Sequence, residues 1–200
     1  QSLEFVGQLF DGDSRNGVLF PERIGDKYKA LVRPNEVRTG EVLSGSEIML
    51  CESDDLVRWQ PVKQVMSGRP RYWDELIGAG PPPMKSREGW LQLYHGVATH
   101  FQSVTIYQAG VALLDLNDPS LVRGRSRQNI LDPREMYELV GQVPNVVFPT
   151  GLIVDEFDSE GFALPESGLT VYYGAADTVV ATAVSTVQAL INSCQEPDRI

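Results

Sequence analysis

Three times along the chain a short apolar segment ends on proline, crosses a turn and gives way to an apolar, aromatic-rich stretch. Leu19-Phe20-Pro21 leads to Tyr28-Lys29-Ala30-Leu31-Val32-Arg33, Pro81-Pro82-Pro83 to Trp90-Leu91-Gln92-Leu93-Tyr94-His95, and Val147-Phe148-Pro149 to Leu169-Thr170-Val171-Tyr172-Tyr173-Gly174. Runs rich in β-branched and aromatic residues, bounded by Gly, Pro and Asp, predict strands. The marker prolines Pro21, Pro83 and Pro149 lie 62 and then 66 residues apart, and in the first two units the strand closes on a cation-capable side chain, Arg33 or His95. A period of this size with several short strands per unit predicts a propeller or similar array, whose polar strand-end residues gather around one axis.

The remaining pattern agrees with an all-β domain. Segments 18–21 and 27–33 read as strands joined by the tight-turn pair Gly25-Asp26, and 47–52 as another. Ser53-Asp54-Asp55-Leu56 caps a single turn above Trp59. Gly78-Ala79-Gly80-Pro81-Pro82-Pro83 is extended, because proline lacks the helix donor and restrains its predecessor, and its glycines permit close approach to another backbone. Strands follow at 90–96, 103–116, 146–156, 169–173 and 178–184, with Asn117-Asp118-Pro119-Ser120 as a turn. Segment 123–140 is a charged connector with one helical turn near 133–137. Only 185–193 reads as helix, capped by Ser185, with Val187, Leu190 and Ile191 on one face. Nothing reads as a linker, so residues 1–200 form one domain.

Charge and composition narrow the chemistry. A formal charge of −10 argues against nucleic acid or an anionic membrane as partner, so a bound anion would need a local cluster of cations. Cys51 and Cys194 are too few for a disulfide framework and suit reduced thiols in a cytoplasmic protein. No apolar run reaches the roughly 18 residues of a membrane span. Two histidines without Cys or carboxylates at suitable spacing make no metal site. The start, Gln1-Ser2-Leu3-Glu4, is neither an initiator methionine nor a signal peptide, and suggests that sequence precedes it.

With these segments placed, the chain resembles the β-mannoside phosphorylases of glycoside hydrolase family 130, which are five-bladed propellers. The motifs that carry the resemblance begin with Val18-Leu19-Phe20-Pro21-Glu22, Ser53-Asp54-Asp55-Leu56 with Trp59, and Ile77-Gly78-Ala79-Gly80-Pro81-Pro82-Pro83 with Lys85. They continue through Tyr94-His95-Gly96-Val97, Gly110-Val111-Ala112-Leu113-Leu114-Asp115-Leu116, Val143-Pro144-Asn145-Val146-Val147-Phe148-Pro149 and Tyr173-Gly174-Ala175-Ala176-Asp177-Thr178. The resemblance implies a partial propeller of about three blades with a short C-terminal helix, the N-terminal blades and the proton-donating Asp being absent. It implies inverting phosphorolysis of β-mannoside oligosaccharides to α-mannose 1-phosphate, with inorganic phosphate as co-substrate, no cofactor, and homo-oligomeric association.

By motif position, Arg15, Arg33, Lys85, His95 and Tyr107 would bind phosphate and Asp177 the mannosyl unit. Gln108 stands where family members more often carry Arg. Taken without the resemblance, Arg15 and Lys85 read as solvated cations, Arg33 equally as half of a structural ion pair or as a ligand contact, His95 as a core histidine and Asp177 as a turn cap. Two other functions stay open: a β-mannosidase of the same family, and a non-catalytic sugar-binding half-propeller.

Overall fold

Each repeat unit builds one antiparallel sheet, and its aromatic-rich stretch is the second strand of that sheet. The computed structural model describes residues 3–10, 12–38, 41–99 and 105–195. The first sheet holds β1 (Ser14–Leu19), β2 (Tyr28–Arg38), β4 (Glu47–Ser53) and β5 (Gln60–Ser67) in the order β1-β2-β4-β5, while β3 (Glu41–Ser44) pairs with the distal part of β2. The second holds β6 (Leu76–Ala79), β7 (Met84–Ser86), β8 (Gly89–Ala98), β9 (Ile106–Leu114) and β10 (Val122–Arg125), in the order β10-β9-β8-β6, with β7 also on β8. The third is β11 (Val147–Val154), β12 (Gly168–Ala175) and β13 (Val179–Thr186), with helix α1 (Met136–Leu139) before it and α2 (Val187–Gln195) after it. The observed class is all-β with a short C-terminal helix; the described residues form three sheets and not a closed ring.

Period-2 alternation in β8 explains why the middle sheet is buried on both faces. Trp90 and Tyr94 join Phe20, Leu31, Ile48, Leu50 and Ile77 between the first and second sheets. Leu91 and Leu93 point the other way, to Leu169, Val171 and the Leu190–Ile191 face of α2. All ten residues of β8 are buried, the pattern of a strand covered on both sides. Phe20 meets Trp90 edge-on at 5.2 Å between centroids, a favoured aromatic geometry.

The proline run interrupts the edge strand beside β8. The Gly80 N–H still donates to the Leu93 carbonyl at 3.0 Å, and a Cβ at Gly80 would lie 2.9 Å from that carbonyl oxygen and 3.0 Å from the Pro149 one. This is the close approach expected of the glycines. Two expectations need correction. The α2 cap is Thr186, whose Oγ1 accepts the Ala189 N–H at 3.2 Å; Ser185 is still paired in β13, opposite Leu169. The connector after Leu121 is also not all loop, since 122–125 pair with β9 as the edge strand β10.

Candidate functional site

A bulge places the first candidate residues. In β1 the pairing with β2 shifts register between Arg15 and Val18, and Asn16 takes a positive φ of 53°, the left-handed region that Asn tolerates better than most residues. Bulges of this kind redirect side chains. Arg15 stays opposite Arg33 in register, while the Asn16 carboxamide turns toward β6. There Gly78 pairs with His95, and a Cβ on Gly78 would fall 2.4 Å from His95 Cε1 and 2.9 Å from Asn16 Oδ1. Only glycine leaves room for both groups.

His95 and Arg33, at equivalent places in the first two repeats, meet directly: Arg33 Nη1 lies 3.3 Å from His95 Nε2. Phe148 of the third sheet packs tilted against the His95 ring, 4.4 Å between centroids, and Tyr107 at the start of β9 lies 6.1 Å from it. The middle of β2, the C-terminal half of β8 and the starts of β1, β9 and β11 thus converge. Four of the sequence-predicted residues are brought together: Arg15, Arg33, His95 and Tyr107.

The electrostatics of this group are unusual for an acidic chain. Burial, and then the charge of Arg15, lower the Arg33 pKa, with Tyr107 acting the other way. Among the described residues no carboxylate pairs with either guanidinium, whereas buried Asp74 answers both Arg69 and Arg125. Burial, then the Arg33 charge, push the His95 imidazole down to about 3. His95 is therefore neutral at physiological pH. Because guanidinium only donates, Nε2 must accept and Nδ1 must carry the proton.

This yields a test of the burial. Protonation of His95 is favoured in the unfolded chain, near 6.5, and resisted in the folded one down to about 3. Its contribution to stability is complete above the unfolded value and is lost as pH falls between the two. We expect His95→Gln to flatten the stability–pH curve between pH 6 and 4 by up to about 1.4 kcal/mol per pH unit, one proton's worth. Denaturant midpoints measured against pH check this, and equal slopes in both proteins would contradict a buried neutral imidazole.

Several polar atoms around the group are buried without a partner: Asn16 Oδ1, Arg33 Nε, His95 Nδ1, and both Oδ1 and Nδ2 of Asn35. Buried polar groups are paired in the great majority of cases, so a cluster of exceptions points to a missing ligand. Asn16, Asn35, Gly78 and Phe148 carried no site assignment from the sequence, although Gly78 and Phe148 lie within its motifs. The one available signal was Asn16-Gly17, a turn dipeptide at the edge of an apolar run. A hollow of about 300 Å³ lined by Gln8, Phe10, Arg15, Asn16 and Val32 opens beside β1. The wider hollow of about 620 Å³ at Lys27, Asp54, Asp55 and Arg58 lies elsewhere, and its charges answer one another in Lys27–Asp54 and Arg58–Asp55 pairs. Among the described residues no group of three His, Cys, Asp or Glu is arranged as a metal site.

Lys85 is the correction. It sits on β7 opposite Trp90, five residues along β8 from His95, roughly 16 Å at about 3.3 Å per residue. Its ammonium pairs with Glu22 at 2.5 Å and lies 4.5 Å from the Phe162 ring. It links the far ends of the sheets and takes no part in the Arg33–His95 group. Asp177 lies at the near end. Its sheet partner strand begins beside His95, since Phe148 pairs with Gly174, but its carboxylate is exposed. Ala176 and Asp177 both have positive φ, 47° and 49°, in a turn closed by the Thr178 N–H to the Ala175 carbonyl at 3.0 Å. Positive φ at both central residues is what a type I′-like turn joining β12 to β13 requires, so Asp177 sits at the tip of that hairpin.

Residues 4–196 match the glycoside hydrolase family 130 description, β-1,4-mannooligosaccharide phosphorylase. The chain belongs to that family. It is 36% identical over 180 residues to the β-1,4-mannooligosaccharide phosphorylase of Ruminococcus albus, covering 90% of this chain and 50% of that protein. It is 35% identical over 182 residues to a 1,2-β-oligomannan phosphorylase of a Thermoanaerobacter species, covering 90% of this chain and 53% of the relative. The solved β-1,2-mannobiose phosphorylase of Listeria innocua, in complex with β-1,2-mannobiose, superposes with a TM-score of 0.83 at 35% identity, covering 98% of this chain and 50% of that one. The chain spans about half the length of the curated relatives it matches.

Proposed function

We propose that this chain forms the phosphate-binding side of an inverting β-mannoside phosphorylase. Inorganic phosphate attacks the anomeric carbon of a β-mannoside, the glycosidic C–O bond breaks, and α-mannose 1-phosphate forms as the departing oxygen takes up a proton. The observation that carries this reading is the pair of neighbouring arginines, Arg15 and Arg33, for which no carboxylate partner is found among the described residues. Such a pair suits an oxyanion that both can grip. Arg33 Nε and the Tyr107 hydroxyl add donors, and His95 aims the Arg33 guanidinium while remaining neutral. Preorganised donors of this kind stabilise charge as it develops without forming a covalent intermediate. Lys85 is left out of this assignment.

The unpaired Asn16 Oδ1 calls for a ligand that donates, which phosphate mostly does not, so a hydroxylated substrate is expected beside the oxyanion. Asp177, at the tip of the β12–β13 hairpin at the same end, is assigned to mannosyl hydroxyls. In this reading the three sheets are successive blades of a five-bladed propeller. The further blades and the proton-donating Asp belong to the part of the family's length that the chain does not span. No metal or nucleotide enters the reaction. Cys51 and Cys194, both buried and unpaired, fit a reducing cytoplasm.

The test is made on the complete protein with β-1,2- and β-1,4-mannobiose, with and without phosphate. Mannose 1-phosphate of α configuration should form only when phosphate is present. Equal sugar release in both conditions would identify a β-mannosidase instead.

A further inference from the structure

Along the face of β2 that looks toward the second sheet, side chains alternate in at every second position. Leu31 lies in the core between the first two sheets, Arg33 reaches His95, and Asn35 comes next, roughly 6.6 Å further out at about 3.3 Å per residue. Pro34 between them restrains Arg33 to extended backbone. The Asn35 main chain is also fixed, its N–H donating to the Asp13 carbonyl at 2.9 Å. The side chain is not satisfied: both its Oδ1 and its Nδ2 are removed from solvent and have no partner.

A carboxamide held in this state needs a ligand that offers a donor and an acceptor together. Phosphate could satisfy Nδ2, but the dianion has a single P–OH to offer Oδ1, and the neighbouring guanidiniums favour its acceptor oxygens. Neighbouring hydroxyls on a pyranose ring satisfy both. We infer that Asn35 is a sugar-contacting, specificity-determining residue, binding a pair of hydroxyls one strand position outward from the oxyanion gripped by Arg33. The inference rests on the phosphorylase reading for its substrate class. Its donor–acceptor argument needs only that a mannoside binds at this end of β2.

The experiment compares wild type, Asn35→Ala and Asn35→Ser in the complete protein. Saturation kinetics are run separately in β-mannobiose and in inorganic phosphate, alongside calorimetric binding of β-mannobiose alone. Asn35→Ala should raise the KM for mannobiose by roughly tenfold or more, as expected for a lost polar contact, while the KM for phosphate stays within about twofold. Asn35→Ser, which retains one donor and one acceptor, should recover part of the loss. A structural role would shift both constants or neither, and either result overturns the inference. If wild type releases sugar without phosphate, the phosphorylase reading falls while the Asn35 inference is still decided by the mannobiose titration. An Asn35→Ala protein that binds mannobiose as tightly as wild type would end it.

Discussion

Asp74→Ala should cost the fold about 3–5 kcal/mol, the range measured when one partner of a buried ion pair is removed. Asp74 is fully buried. Its carboxylate accepts Arg69 Nε at 2.8 Å and Nη2 at 2.7 Å, Arg125 Nη2 at 2.6 Å and the Tyr94 hydroxyl at 2.9 Å. Burial pushes the Tyr94 hydroxyl well above its ordinary range, so it stays neutral, donating to Asp74 and accepting Arg125 Nε at 3.1 Å, and cannot replace the lost charge. Truncation leaves two largely buried guanidiniums facing each other across a void. The cost would appear as a lower denaturant midpoint at unchanged slope. A loss under about 1 kcal/mol would mean that water compensates and that the network is ornamental to stability.

The same substitution should reach the functional end. A Cβ on Gly96 would lie 2.5 Å from Asp74 Cβ and 2.6 Å from Trp73 Cζ3, so the backbone beside His95 is seated directly on this network. Trp73 stacks on Tyr94 at 5.8 Å and donates its indole N–H to the Arg127 carbonyl at 2.8 Å. Trp73 and Asp74 are thus the support under the strand that carries His95.

What could be read from the sequence was what repeats. The Pro-ended segment and the aromatic stretch recur because each sheet needs an apolar second strand, fully buried in β8 and buried at alternate positions in β12, and that demand writes a dense signal. β5 and β10 lacked it. Both are edge strands, where Pro61 and the Arg123–Arg125 charges are tolerated because one side of the ladder faces solvent. Lys85 shows a second limit. Its place after the proline run was legible, but the register that sets it opposite Trp90 is a pairing decision made across the chain. Asn16 and Asn35 show a third. A polar residue in a strand looks like a solvent-facing position until the sheets pack, and its unmet hydrogen bonds exist only in the folded arrangement.

Arg33→Ala should lower kcat/KM for phosphate by roughly 10²- to 10³-fold, the scale on which loss of one preorganised donor to a developing oxyanion is felt. The KM for mannoside should change far less. Arg33→Lys should recover little. A lysine ammonium restores charge but not the planar fork, and it would bring a second flexible cation beside Arg15 without the Nη1 contact that His95 now accepts at 3.3 Å. Arg15→Ala should be milder, because that side chain is exposed and water can take over part of its role. Removing Arg33 relieves its burial but leaves His95 Nε2 without the contact it now accepts, so the denaturant midpoint of the variant, set beside its rates, separates loss of function from loss of structure. Initial rates of mannose 1-phosphate formation at varied phosphate decide the matter: unchanged saturation in Arg33→Ala would remove the anion from this end of the sheets.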